Sequence, residues 1–210
     1  SDPVKVHVPA GTTLSPHGQM RTLADGTLVF NARGSYELKK YKQDPSLPLR
    51  LSYLFRSYDG GSSWGEPTSI GDGTSETGFI ALDGDHWLAY VRINDKPNKI
   101  AHSYNGGRTW EKWDSSVPQG EVGRSSQEIL GQGNWRIVNG RLQKPSPGSP
   151  VLLPNGKVLI TYGYRSYPFG VRAILSDDGG ASFDIEREYI LSDTAYSWDC
   201  GYPSTVCYED

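Results

Sequence analysis

One pattern of eight residues occurs three times in this chain: SYDGGSSW from Ser57, SYNGGRTW from Ser103 and SDDGGASF from Ser176. The shared form is Ser-x-(Asp/Asn)-x-Gly-x-(Ser/Thr)-aromatic, and chance does not repeat that many fixed positions. A second motif precedes each copy. LADGTLVFNAR, LDGDHWLAYVR and LPNGKVLITYGYR each read as a strand, a tight Asp-Gly or Asn-Gly turn and a second strand. The turn glycines Gly26, Gly84 and Gly156 lead their octets by 31, 19 and 20 residues, so the first unit carries extra chain.

A hairpin, a connection and a second hairpin, repeated in fixed order, predict an all-β chain of four-stranded antiparallel blades, a β-propeller. Composition agrees, with 25 Gly, 14 Pro, 13 Tyr and 6 Trp against one Met, a profile of short strands and many turns. The expected blades are 18–70, 76–114 and 148–190, with a fourth starting over 197–210 and a Gly- and Pro-rich insertion over 114–147. Each earlier strand runs into Asp-Gly or Asn-Gly, so the pattern calls for a glycine after Asp210 and for the remainder of a larger, six-bladed ring.

The octet itself reads as a turn. An Asp or Asn at its third position can accept bonds from backbone N–H groups two and three residues on, while the glycines take positive φ and the aromatic enters the seam between strands. A calcium loop of the EF-hand type needs Gly sixth and Glu twelfth, but from Asp59 those places hold Trp64 and Ile70, and from Asp177 the sixth is Ser182.

Several classes of function are disfavoured. A formal charge of -3, with both signs scattered, offers no basic stripe for nucleic acid. No apolar run approaches the roughly 20 residues of a membrane helix. Cys200 and Cys207 supply no disulfide framework and no zinc set, although a single bridge between them is open. His7, His17, His86 and His102 lack ligand spacing, and no phosphate loop or nucleophile elbow is present. No cofactor is expected.

The octets resemble the Asp-boxes, or bacterial neuraminidase repeats, of the sialidase superfamily. SETGFIALDGDHWLAYVR, PFGVRAILSDDGGASF and WDCGYPSTV also resemble segments of sialidase-like propellers. Asn105 in place of Asp and Phe183 in place of Trp are small departures. The resemblance implies an arginine cluster for an acidic sugar, an Asp acid/base and a Tyr nucleophile activated by Glu. A secreted or periplasmic setting is expected. The family's early Arg-Ile-Pro signature is absent, with Arg21 the nearest residue.

In an up-and-down blade the Asp-Gly turns and the octets share one face, so a pocket belongs on the other. Arg33, Arg92 and Arg165 each close a second strand and are candidates for binding a carboxylate by bidentate forks. Arg172 and His17, the latter just before the first strand, join them as candidate substrate ligands. Catalytic candidates are Glu76, at the entry to blade two, Asp199 and Tyr202, at the corresponding entry to the next blade, and Asp44, the aspartate of the long loop in blade one. Tyr162, Tyr164, Tyr167, Phe169, Trp135 and Trp198 could stack on sugar rings. The leading expectation is a sialidase-like glycoside hydrolase acting on a glycan. The rival is a non-catalytic Asp-box propeller that binds glycan or protein.

Overall fold

The computed structural model describes residues 3–8, 12–17, 20–36, 50–72, 74–93, 98–111, 128–129, 137–138, 141–142, 146–165, 167–183 and 187–208. The described residues form antiparallel sheets, without a helix. The first sheet holds β1 (Thr12–Pro16) and β2 (Arg21–Thr22), both paired with β3 (Leu28–Tyr36), followed by β4 (Arg50–Ser57) and β5 (Gly65–Asp72). In the second, β6 (Thr74–Asp83), β7 (His86–Ile93), β8 (Asn98–Ser103) and β9 (Glu128–Ile129) lie in sequence order. Its last strand is thus drawn from the stretch 114–147. A short pair, β10 (Ile137–Val138) and β11 (Arg141–Leu142), precedes the third sheet of β12 (Gly148–Leu152), β13 (Val158–Tyr164), β14 (Gly170–Ser176) and β15 (Tyr189–Ser192).

The sheets pack face to face, and β7 shows why. Its sequence HWLAYVRI is apolar on both faces, as a strand covered on both sides must be. With period two, Trp87, Ala89, Val91 and Ile93 join a core with Val29 and Leu54 of the first sheet. Leu88 and Tyr90 point the other way, into a core with Val158, Ile160, Tyr162 and Ile174 of the third. Glycines let the inner strands approach closely: a Cβ on Gly78 of β6 would lie 2.3 Å from the carbonyl oxygen of Gly148 on β12. There is room for a hydrogen atom and nothing larger.

All three octets close by one hydrogen-bond scheme. Ser57 Oγ donates to Asp59 at 2.8 Å and accepts from the Gly61 N–H at 2.8 Å, while Asp59 accepts from the Ser63 N–H at 2.8 Å. Ser103, Asn105, Gly107 and Thr109 repeat the pattern, as do Ser176, Asp178, Gly180 and Ser182. The acceptor reaches four residues on, not two or three, because two successive glycines at positive φ coil the chain back beneath it. Trp110 and Phe183 are buried, and Trp64 packs edge-on against Phe30. Ser57 is itself 1% exposed, so Ser57→Ala strands the Gly61 N–H without its acceptor. The expected loss is about 1 kcal/mol, read as a lower urea midpoint at unchanged slope.

The hairpin turns and the octets sit together at one end of the strands. Leu28 of β3 pairs with Ser57 beside the first octet, whereas Arg33, five residues along, pairs with Ser52 toward the opposite end. Both cysteines are free: Cys200 is partly buried and Cys207 exposed.

Candidate functional site

At the end of the strands away from the octets, four side chains converge on one carboxylate. Glu76 lies on β6 between Ser75 and Thr77 and is 7% exposed. Arg92 Nη1, from the end of β7, donates to Glu76 Oε2 at 2.7 Å, and Arg33 Nη1, from β3, reaches Oε1 at 3.4 Å. Ser75 Oγ donates to Oε2 at 2.5 Å. Tyr202 Oη, 126 residues further along the chain, donates to Oε1 at 3.2 Å. His17 packs edge-on against the Tyr202 ring, centroids 5.4 Å apart.

The electrostatics follow from this crowding. Burial by itself raises the pKa of Glu76, but the Ser75 hydrogen bond and the Arg92 guanidinium outweigh it and hold the carboxyl at about 2. Glu76 is an anion across the ordinary pH range. His17 moves the opposite way for a cation: burial, with Arg92 and Arg33 nearby, overcomes the attraction of Glu76 and lowers it to about 4, so the imidazole is neutral at pH 7. The site therefore contains a fixed anion, two cations bound to it, a neutral imidazole and a phenol. Tyr202 is about half exposed and adopts φ 63°, in the left-handed region that a non-glycine residue seldom enters.

Five of the sequence candidates thus meet: Glu76, Tyr202, Arg33, Arg92 and His17. The others stand apart. The Arg165 side chain is buried, its Nε donating to the Cys200 carbonyl at 3.1 Å, with its guanidinium 5.6 Å from the Trp198 ring centroid. Asp199 is 3.8 Å from Arg165 Nη2 and its side chain is 72% exposed, so it is a surface carboxylate without the burial of Glu76. Arg172 is taken up inside the third sheet: it donates to the Ser192 carbonyl at 2.6 Å and stacks over Tyr164 at 4.3 Å. It is a packing residue there, turned toward β15 by the β14 register. Tyr162 is fully buried and hydrogen-bonded to Glu188, and burial raises its pKa. Asp44 and Trp135 lie outside the described residues.

One participant escaped the sequence reading. Ser75 adjoins Glu76 and supplies its shortest hydrogen bond. Its place next to Glu76 was the available signal.

No family model and no curated protein matches the chain. Solved structures do. A protein of unknown function from Dyadobacter fermentans aligns over 91% of this chain with TM-score 0.62 and 20% identity. A Hadza microbial sialidase aligns over 86% with TM-score 0.53 and 17% identity. A Trypanosoma rangeli sialidase, in complex with 2,3-difluorosialic acid as a covalent intermediate, aligns over 75% with TM-score 0.50 and 14% identity. The fold is sialidase-like. At such identities the likeness is one of architecture and does not extend to chemistry. This chain spans 45%, 31% and 23% of those three chains.

Proposed function

We propose that the three sheets are blades of a sialidase-like propeller, their octets Asp-boxes, and that the Glu76 cluster is the centre of a glycoside hydrolase acting on a glycan. The observation that carries this reading is the hydrogen bond from Tyr202 to Glu76. A half-exposed phenol oriented by a buried carboxylate has the composition of a nucleophile with its acceptor. In the proposed step Tyr202 Oη forms a bond to the anomeric carbon, the glycosidic C–O bond breaks, and the phenolic proton passes toward Glu76. The departing oxygen leaves with its electron pair and takes a proton from an acid, for which Asp44 is the proposed residue, or from water when it leaves as a stabilised phenolate. Water then hydrolyses the glycosyl-tyrosine and restores the phenol. With its carboxyl at about 2, Glu76 is a weak base, so its larger part is to orient Tyr202.

One observation favours the rival reading, a propeller that binds glycan without cleaving it. Arg33 and Arg92 are already engaged by Glu76, which leaves less of their forks for a ligand carboxylate. A screen of 4-methylumbelliferyl glycosides, the sialoside included, separates the two, because such leaving groups need no strong acid. The hydrolase reading expects release of the fluorophore from at least one. Binding of glycans without release from any would establish the rival.

A further inference from the structure

Tyr202 belongs by its backbone to the third sheet and by its side chain to the first two. Before it, the Cys200 carbonyl accepts from Arg165 Nε at 3.1 Å and Cys200 Sγ donates to the Tyr164 carbonyl at 3.2 Å. After it, the Thr205 N–H donates to Ser149 Oγ at 3.2 Å. The side chain crosses from this strap to Glu76 on β6 and to His17, which directly follows β1. No strand ladder fixes the strap, since residues 199–208 lie outside the sheets.

The phenol's own tether is slight. Among the described residues Tyr202 makes one side-chain hydrogen bond, to Glu76 Oε1 at 3.2 Å, longer than the usual O–H···O separation of about 2.7 to 2.8 Å. A single bond of that length places an oxygen without setting the tilt of the ring behind it. The residue is 54% exposed, and a chamber of about 170 Å³ is bordered by both Tyr202 and His17, so a released ring has other places to go.

His17 supplies what the hydrogen bond lacks. Its imidazole meets the Tyr202 ring edge-on, with centroids 5.4 Å apart and planes at 69°, a geometry in which aromatic pairs attract. It is held in turn by the first sheet: Pro16 before it pairs with Ala32, and the His17 N–H donates to the Asn31 carbonyl at 3.3 Å. Being neutral near pH 7, the ring can lie near Arg33 and Arg92 without repelling them.

We infer that His17 is a positioning residue, whose ring edge, fixed to the first sheet, holds the Tyr202 ring in the rotamer that brings Oη to Glu76. Such a residue acts through its shape, whereas a sugar ligand acts through its nitrogens. The consequence for catalysis rests on the proposed role of Tyr202; the positioning of the ring does not.

The test begins with NMR of protein carrying isotope-labelled tyrosine, the Tyr202 signals being those absent from Tyr202→Phe. In wild type, Tyr202 should show the couplings of a single χ1 rotamer and cross-relaxation with the His17 ring. Loss of one edge contact shifts a rotamer balance by about 2- to 10-fold, so in His17→Ala the couplings should average. His17→Phe keeps a ring edge and should restore the single rotamer. His17→Gln has no ring and should not, and it replaces His17→Ala should that variant fail to fold. On any 4-methylumbelliferyl glycoside that wild type cleaves, kcat should fall by about tenfold in the ringless variant with KM within about twofold, and His17→Phe should recover most of the loss. A Tyr202 ring that keeps its rotamer in a folded ringless variant overturns the inference. So does a kcat unchanged where the ring is free, or a His17→Phe as impaired as His17→Ala, which would assign the role to the imidazole nitrogens. The rotamer is read without turnover, so cleavage of no glycoside ends the hydrolase reading while the couplings still decide the positioning of Tyr202.

Discussion

Glu76→Gln is expected to lower the stability of the fold by about 3 kcal/mol near neutral pH, the lower end of the cost of removing one partner from a buried ion pair. Four donors converge on this carboxylate: Ser75, Arg92, Arg33 and Tyr202. A glutamine of the same shape presents an NH₂ group to some of them, donor against donor, and withdraws the charge that balances a guanidinium whose side chain is 10% exposed. The loss should appear as a lower urea midpoint with unchanged slope. Its pH dependence is fixed by the direction of the shift. The folded-state pKa, about 2, lies below the ordinary 4.5, so the stabilisation is fully present above about 4.5 and disappears as the pH falls toward 2. Wild type and Glu76→Gln should therefore differ most at neutral pH and converge through that window. A gap of constant size from pH 6 to pH 2 would show that the ionised form of Glu76 is not what stabilises the cluster.

Local chemistry makes the octets legible in the sequence. Ser57, Asp59 and paired glycines can satisfy one another within eight residues, and the same solution recurs at Ser103 and Ser176. The ends of the strands were legible by parity, since hairpin turns and octets on one end leave Arg33 and Arg92 at the other. Less legible was the partner each arginine takes. Arg33 and Arg92 look like free forks for a ligand when read along their own strands, yet both turn to Glu76, from 43 and 16 residues away. Arg172 carries the same side chain but directs it to the Ser192 carbonyl and the face of Tyr164, because β15 lies against it. Asn31 reads along β3 as an ordinary polar residue, while its Nδ2 donates to the Thr77 carbonyl of the neighbouring sheet, a partner 46 residues away.

Tyr202→Phe removes one oxygen atom and offers the sharpest separation of the two functional readings. If Tyr202 is the nucleophile, deleting Oη abolishes the covalent step, and kcat on any 4-methylumbelliferyl glycoside that wild type cleaves should fall by about a thousandfold or more. KM should change far less, since the ring, its edge contact with His17 and the left-handed backbone at 202 are retained. Stability should also move little: the phenol is half exposed, and Glu76 keeps Ser75, Arg92 and Arg33 as donors. That contrast with Glu76→Gln is the informative part, because the two residues share one hydrogen bond but differ in what they support. A variant equally stable, equally able to bind glycan and catalytically silent would assign the chemistry to Oη. Retention of more than a tenth of wild-type kcat would remove Tyr202 from the bond-breaking step and leave it as a wall of the binding site, with Glu76 and its two arginines acting as the structural clamp between the first and second sheets.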